Sequence, residues 1–413
     1  MNIIVAHPFQ QHSFKTANAL KSEGNLFKYV TTVYLKKGTL TYFLAQKVLK
    51  GDNLKRVSGR KTEALDDIEV VTLSEWANLI LLALQRINKK YYDAWYWKTI
   101  DIFNHKLFRY VKNSKVDAVI VYDTVSSRFI ELVKKAGLDV KIIIDMSAPN
   151  ALYMRHVFQK EAKEMKDDTD FQYVESDYFL RKCLAAQNEI EQADAFLVAS
   201  SFTKESLEWS NVESSKIFKC TYGVFEKEGE GFKKDIKIIR CCFVGKVSLE
   251  KGAYRFFEMI DRIHREDMEF HFYGAYERNS SYYRKYHRRC VFHGHIPHIM
   301  MLEEFEKTDI IIFPSFADGF GFSVTEALLR GNIAICSKNA GVSELIVDGV
   351  NGFTYEPGKE EEKVIRFLDG IDRRKLTEMQ GNASQSLNGY TWDKYNQQVN
   401  DAVNHIVAEE LLS

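Results

Sequence analysis

Two carboxylates flank a glycine-rich loop in the second half of the chain. Asp318 and Glu326 stand eight positions apart, and Gly321 lies between them. An apolar run at 310–313, typical of a buried strand, precedes the loop, and a short helix is predicted after it. Glycine lets an anion approach the backbone N–H groups at a helix start, where the partial charge is positive. The stretch therefore predicts a phosphate-binding strand–loop–helix unit.

Glu326 has two possible roles in this unit. With Ser323 as the N-cap, Glu326 occupies the third helical position of a capping box and could serve the helix alone. A carboxylate in the first helical turn could also accept hydrogen bonds from ribose hydroxyls. The segment 332–337 then predicts the next strand, which completes a βαβ unit.

Two lysines follow another predicted strand earlier in the same half. Lys246 comes directly after Gly245, Lys251 follows five positions later, and Gly252 comes next. Such lysines could be ordinary surface residues. Because the glycine loop lies in the same half, we favour a role in phosphate binding.

The sequences PSFADGFGFSVTEAL and GNIAICSKNAGVSELIVDGVNGF, from Pro314 to Phe353, resemble the C-terminal half of retaining glycosyltransferases of family 4. Two departures from that family's pattern are visible. Asp318 stands where the family has its first Glu and is one methylene shorter, and Lys246 stands where Arg is usual. Lysine provides a point charge without the bidentate fork of arginine.

The resemblance implies the GT-B fold, an α/β architecture of two Rossmann-like, doubly wound domains facing across a cleft. The expected parts are an acceptor-binding domain at 1–225, a linker at 226–238, a nucleotide-sugar-binding domain at 239–390 and a helix at 391–413 that crosses back to the first domain.

The resemblance also implies roles for individual residues. Asp318 and His156 would be catalytic, with Asp145 and Arg155 as alternatives to the histidine. Glu326 would bind the ribose. The residues implied for binding the donor diphosphate are Lys246, Lys251, Gly321, Phe322 and Ser323, and those of the loop at the base are His295 and Ile296.

The implied reaction is transfer of a hexosyl group from a nucleotide-sugar to a hydroxyl of a glycan or lipid-linked acceptor, with retention. No metal or other cofactor is expected, and bacterial cell-surface polysaccharide or glycolipid synthesis is the expected setting. The alternative is a non-catalytic GT-B subunit that binds a partner or an acceptor protein. A GT-B epimerase or phosphorylase is a weaker third interpretation, since no pattern for a pyridoxal-phosphate lysine is visible.

Several polar residues of the first half have open roles. The loop after the first predicted strand carries His7 and His12 but no glycine, and lone loop histidines are more often structural than catalytic. Asp168 and Asp170 form a D-x-D pair, which holds Mn²⁺ in the other large transferase fold. This pair follows no apolar strand, so we expect no metal site there.

Composition bounds the remaining possibilities. The chain has 413 residues, 45% of them hydrophobic, and a net charge of +0, which fits two well-packed domains. No run of about 18 apolar residues and no secretion signal are visible, so we expect a cytoplasmic protein. The six cysteines form no C-x-x-C pair, and we expect free buried thiols.

Positive charge is concentrated in the first half. Residues 1–62 carry eleven Lys/Arg against two acidic residues, and 86–115 carry eight against two. The second segment is also rich in Tyr and Trp, which favours docking to an anionic membrane surface on the inner face of the cell membrane. The competing interpretation is that the aromatic residues form domain core and the lysines a solvated face. Nucleic acid is disfavoured because no recognition motif accompanies the patch.

Overall fold

Two parallel β-sheets form the framework of the molecule. The computed structural model describes residues 1–9, 12–47, 59–87, 89–164, 173–224 and 237–408. In that part of the chain, a seven-stranded sheet has the order β3-β2-β1-β4-β5-β6-β7, and a six-stranded sheet has the order β10-β9-β8-β11-β12-β13. The strands are β1 Ile3–His7, β2 Leu26–Thr31, β3 Val70–Thr72, β4 Ala118–Tyr122, β5 Lys141–Met146, β6 Ala195–Val198, β7 Ile217–Lys219, β8 Ile239–Val244, β9 Met268–Tyr273, β10 Cys290–Gly294, β11 Ile310–Phe313, β12 Ile333–Ser337 and β13 Gly352–Tyr355.

Helices alternate with the strands. They are α1 Ser13–Ser22, α2 Leu40–Lys47, α3 Glu75–Ile87, α4 Lys89–Lys112, α5 Ser127–Lys135, α6 Ala151–Glu164, α7 Asp177–Gln192, α8 Ser201–Trp209, α9 Ala253–Arg262, α10 Ser281–Tyr286, α11 His298–Lys307, α12 Phe322–Leu329, α13 Glu361–Gly370, α14 Arg373–Ala383 and α15 Trp392–Ala408. The central strands are uninterrupted apolar runs, as in β11, where all four residues are buried. Such runs are typical of parallel strands covered by helices on both faces.

In each domain, the carboxyl ends of the strands face the other domain. Ser200, just after β6, donates a hydrogen bond of 2.7 Å to the carbonyl of Gly319 in the glycine loop. A Cβ atom on Gly319 would lie 2.8 Å from the carbonyl oxygen of Ser147, which follows β5. The two domains therefore touch at the edge where open α/β sheets bind their ligands.

The last helix, α15, packs on the first domain rather than on the second. Tyr395 shares a hydrogen bond of 2.9 Å with Thr16 of α1, and Asn400 donates to the carbonyl of Ala19 at 2.6 Å. Helix α15, which follows the second domain in sequence, therefore packs against α1 of the first domain.

Some local predictions were wrong. Ser323 is not the N-cap of α12: the cap is Gly321, in the left-handed region at φ 93°, with no side-chain capping bond. In the basic stretch 1–62, residues 40–47 form α2. All six cysteines are free and buried, as predicted. The pair Asp168–Asp170 and most of the predicted linker, residues 226–236, lie outside the described residues.

The aromatic segment 86–115 is largely part of the first domain's packing. Phe103 and Leu107 of α4 are buried, and Tyr96 and Trp97 are half-buried. Tyr91 is 64% exposed. The interpretation as core therefore holds for Phe103 and Leu107, whereas Tyr91 lies at the surface.

Candidate active site

The glycine loop is held by close backbone packing. A Cβ atom on Gly321 would lie 2.8 Å from Val342 Cγ1, and the amide of Val342 donates to the carbonyl of Phe320 at 2.5 Å. α12 begins at Phe322, so Gly321 to Ser323 form its first turn. This turn presents the positive end of the helix dipole, the arrangement that receives phosphate.

Glu326 lies one turn inside α12, and its side chain is 12% exposed. Its Oε1 lies 2.8 Å from Nε2 of His298, the first residue of α11. The loop with His295 and Ile296 immediately precedes that helix. The structure therefore brings the predicted ribose residue beside the end of the predicted base loop. His298 was missed from sequence, where only its position after this loop pointed to it.

Lys251 and Asp318 form an ion pair, with Nζ and Oδ2 2.6 Å apart. Burial acts to lower the pKa of Lys251, but the charges of Asp318 and Glu250 outweigh it and raise that pKa above its usual value. The amide of Phe320 donates to Asp318 Oδ1 at 3.1 Å, which fixes the carboxylate at the loop. The predicted cation and the predicted catalytic carboxylate thus neutralise each other in this structure.

Lys246 occupies a different environment. Its side chain is 59% exposed, and its Nζ lies 3.7 Å from Glu250 Oε2. An exposed ion pair of this kind contributes little. Of the two predicted diphosphate cations, only Lys251 is held against the glycine loop.

A cavity of about 690 Å³ lies between the two domains. The second domain contributes Phe322 and Glu326, and His298 from the start of α11. The other lining residues are His12, Phe14, Lys15, Ser147, Ala148 and Trp392. The first turn of α12 and the predicted ribose carboxylate therefore face the strand ends and α1 of the first domain.

On the first-domain side, His12 is held by a buried polar network. Its Nε2 lies 3.1 Å from Asp145 Oδ1 and 2.7 Å from the Tyr222 hydroxyl. The Thr16 hydroxyl donates to the other carboxylate oxygen at 2.8 Å and accepts from Tyr122 at 3.0 Å. Asp145 is 3% exposed. Burial, and then the charge of Asp145, raises the pKa of Tyr222 well above its usual value, so this hydroxyl stays protonated.

The other predicted first-domain residues lie elsewhere. His156 is exposed on α6, with its ring centroid 5.1 Å from that of Trp209, and it does not line the cavity. Arg155 is paired with Glu175 at 2.8 Å. His7 is buried and accepts a hydrogen bond from the amide of Phe9. Among these first-domain candidates, His12 lines the cavity, and the buried carboxylate of Asp145 lies behind its ring.

Two features are absent from the described residues. No group of three or more His, Cys, Asp or Glu side chains is placed to hold a metal ion in that part of the chain. Among the same residues, no helix is both long enough and apolar enough to cross a bilayer.

The chain resembles solved structures over nearly its whole length. The apo form of the lipopolysaccharide outer core galactosyltransferase WaaB is 15% identical, with a TM-score of 0.65, and the match covers 98% of this chain and 99% of that one. HepE of Anabaena in complex with UDP and glucose is 14% identical, with a TM-score of 0.59, covering 98% and 100%. This likeness shows the fold: the chain has the GT-B architecture, as predicted.

The second domain carries the sequence relationship. Residues 239–369 match the family model described as Glycosyl transferases group 1. Sucrose synthase of Melioribacter roseus is 39% identical over 66 residues, which are 15% of this chain and 8% of that protein. The match therefore spans less than a tenth of that relative's length.

Proposed function

We propose that the protein is a retaining glycosyltransferase that moves a hexosyl group from a nucleotide-sugar to a hydroxyl acceptor. The observation that carries the proposal is the arrangement of Gly321, Phe322 and Glu326 at the interdomain cavity. A glycine-capped helix start receives the diphosphate, and a carboxylate one turn further along receives the ribose. The family match of the second domain supports this assignment.

In the proposed reaction, the bond between the anomeric carbon and the outer phosphate oxygen breaks, and its electron pair goes to the diphosphate. The acceptor oxygen bonds to the same face of that carbon, and its proton passes to the departing phosphate. The protein's main task is to stabilise charge on the leaving diphosphate. The first turn of α12 and Lys251 would supply this stabilisation, without a metal ion.

The ion pair between Lys251 and Asp318 means that the lysine would exchange one anionic partner for another during the reaction. When the donor binds, its diphosphate would compete with Asp318 for the lysine. The released carboxylate would then be free to bind hydroxyls of the transferred sugar, the role proposed for it. His298, beside the proposed base loop of His295 and Ile296, would hold Glu326 in place until the ribose binds.

The proposed acceptor is a glycan or lipid-linked hydroxyl in cell-surface polysaccharide or glycolipid synthesis. The name of the neighbour WaaB, a lipopolysaccharide galactosyltransferase, supports this setting.

A membrane-facing surface is proposed on the outer side of α3. Trp76, Ile80 and Ile87 are exposed there at helical spacing, and Tyr91 lies beyond them. Co-sedimentation with anionic vesicles, lost in Ile80→Glu, would test this surface.

A non-catalytic GT-B subunit is the second candidate. Its supporting observation is that Lys251 is neutralised by Asp318 while Lys246 is largely exposed. Such a subunit would bind a partner or acceptor protein and would turn over no nucleotide-sugar, even by hydrolysis.

The deciding experiment is a calorimetric screen of UDP, GDP, ADP, CDP and dTDP against wild type and Glu326→Ala. We expect one nucleotide to bind wild type and the variant to lose about 10- to 100-fold in affinity, because ribose hydrogen bonds to a carboxylate are lost. The matched control is Glu303→Ala, an exposed carboxylate on α11 that does not line the cavity. Absence of any nucleotide binding to wild type would favour the non-catalytic subunit.

A further inference from the structure

A second cavity lies within the first domain. Its volume is about 320 Å³, and its walls are helices α4, α5 and α7 together with the turn that follows β4. Among the described residues, none lines both this cavity and the interdomain cavity. The lining combines an aromatic ring with amide, guanidinium and carboxylate groups, which belong to Trp97, Asn104, Arg128, Glu131, Arg181 and Asn188.

Asn104 brings an unused hydrogen-bond acceptor to this cavity. The residue lies on α4 and is only 1% exposed. Its Nδ2 donates to the carbonyl of Val125 at 3.0 Å, which fixes the orientation of the amide. Within the described part of the chain, its Oδ1 has no hydrogen-bond partner. A buried acceptor in this position needs a donor from water or from a ligand.

The turn after β4 is held in a strained conformation beside the cavity. Thr124, a lining residue, has φ 62°, a left-handed conformation that β-branched residues rarely adopt. The buried carboxylate of Glu189 accepts hydrogen bonds from the amides of Thr124 at 2.7 Å and of Ser126 at 3.0 Å. Backbone strain of this kind is concentrated at sites that bind ligands. The turn is therefore a pre-formed wall of the cavity.

The charges on the lining balance. Arg128 Nη1 lies 2.8 Å from Glu131 Oε2, and Asn188 donates to the other oxygen of Glu131 at 2.9 Å. Asp101 and Arg181 add one charge of each sign to the lining, and Arg181 has no ion-pair partner among the described residues. Two cations and two carboxylates favour a neutral ligand that both donates and accepts hydrogen bonds over an anion or a metal ion.

Trp97 adds an apolar surface to these polar groups. Its ring packs against that of Tyr178, with centroids 5.7 Å apart, and this contact fixes its orientation. A pyranose sugar has hydroxyls that donate and accept, and a face of C–H groups that packs on an aromatic ring. The lining matches a neutral sugar unit in both respects.

One pair of residues connects this cavity to the interdomain cavity. Asp123, next to Thr124, accepts hydrogen bonds from the amide and the hydroxyl of Ser147 at 2.7 and 2.6 Å. Ser147 lines the interdomain cavity. Because β4 lies between β1 and β5 in the sheet, the two cavities lie along the same edge of it. A glycan with one unit in the second cavity can extend along this edge toward the cleft.

We propose that the second cavity is a carbohydrate site, which binds a neutral sugar unit of a glycan outside the cleft where transfer takes place. Trp97 packs on the sugar ring, Asn104 accepts a hydrogen bond from one hydroxyl, and Arg181 donates to another. Binding of the sugar does not depend on the proposed function. The further statement that the bound unit is a non-reacting part of the acceptor rests on that function.

Saturation-transfer NMR titrations of the full chain with the methyl glycosides of glucose, galactose, mannose and N-acetylglucosamine test this site. We expect at least one of them to bind wild type with a Kd of about 1 mM, because a ligand of this size makes few contacts. Trp97→Ala should weaken that binding about tenfold, since the ring contact is lost. Arg181→Met should weaken it about fivefold, and because Arg181 is exposed, this variant keeps the test independent of folding.

The matched control is Trp209→Ala. Trp209 is 48% exposed and lines neither cavity, so glycoside affinity should stay within about twofold of wild type. If no neutral glycoside binds wild type, or if Trp97→Ala and Arg181→Met both bind as well as this control, the inference is wrong even when the nucleotide screen succeeds. Tighter binding of methyl glucuronide than of every neutral glycoside would overturn the ligand class. If a glycoside binds at this site and no nucleotide binds, the carbohydrate site stands and the proposed function is wrong.

Discussion

The two sides of the interdomain cavity are built in different ways. The second-domain side is local: Gly321, Phe322 and Glu326 lie within one loop and helix, and the backbone forms much of the site. The first-domain side is assembled from distant positions, with His12, Asp145 and Tyr222 joined by side-chain hydrogen bonds. A site built from backbone needs particular glycines, whereas a side-chain network needs every buried polar group to be satisfied.

The difference predicts how each side fails. On the second-domain side, substitution of a tightly packed glycine should disrupt the fold around the loop. On the first-domain side, removal of one charge should weaken the network while leaving the second domain's nucleotide contacts in place. Measurements of stability and of nucleotide binding should therefore distinguish substitutions on one side of the cavity from those on the other.

Gly252→Ala should have the largest effect on stability. Gly252 has φ 64°, and a Cβ atom there would lie 1.8 Å from the carbonyl oxygen of Pro314, which precedes the glycine loop. Because backbone must move, we expect a loss of about 3 kcal/mol or more in the free energy of unfolding. Urea denaturation measures this.

The control for this substitution is Gly381→Ala. Gly381 lies in α14, and a Cβ atom there would meet nothing within 4 Å. Alanine should stabilise that helix by about 0.5–1 kcal/mol. If Gly252→Ala unfolds at the same urea concentration as wild type, the glycine loop does not depend on this close approach.

Asp145→Asn should have an intermediate effect. The amide keeps an acceptor for Thr16 but places an N–H group toward His12, so one hydrogen bond of the buried network is lost. We expect a loss of about 1–2 kcal/mol in the free energy of unfolding. Because Glu326 is untouched, the affinity for the nucleotide that the screen identifies should change less than about twofold.

Asp67→Asn is the matched control, since Asp67 pairs with Lys61 at the surface. Its effect should stay within about 0.5 kcal/mol. An Asp145→Asn variant as stable as this control would show that the network does not hold the first-domain side together.

The sequence predicted the second domain better than the first for a physical reason. Strand β11, the glycine loop and α12 are consecutive, so their apolar run and glycines are visible in one stretch. The GT-B fold prediction followed from that stretch and is confirmed. The N-cap prediction failed because Ser323 and Glu326 suit a capping box, yet the close packing of Gly321 against Val342 sets the helix start.

The first-domain side could not be predicted in the same way. His12 and Asp145 are 133 positions apart and meet only because β1 and β5 belong to one parallel sheet. Tyr222, just after β7, and α15, in the last part of the chain, join them. A single sequence gives strand ends but does not show which loop side chains point at one another. The sequence therefore favoured His156, and only the fold shows that His12 lines the cavity instead.

His156→Ala should have the smallest effect, and it tests the first-domain side most directly. His156 is exposed beside Trp209, outside the cavity lining that contains His12. We expect the free energy of unfolding to stay within about 0.5 kcal/mol of wild type, with kcat and donor KM within about twofold. His12→Asn, measured alongside, should raise the donor KM, since His12 lines the cavity in which the donor would bind. A large fall in kcat for His156→Ala at unchanged stability would mean that His156 reaches the substrate when the domains close. His12 would then lose its assignment as the histidine that serves the reaction.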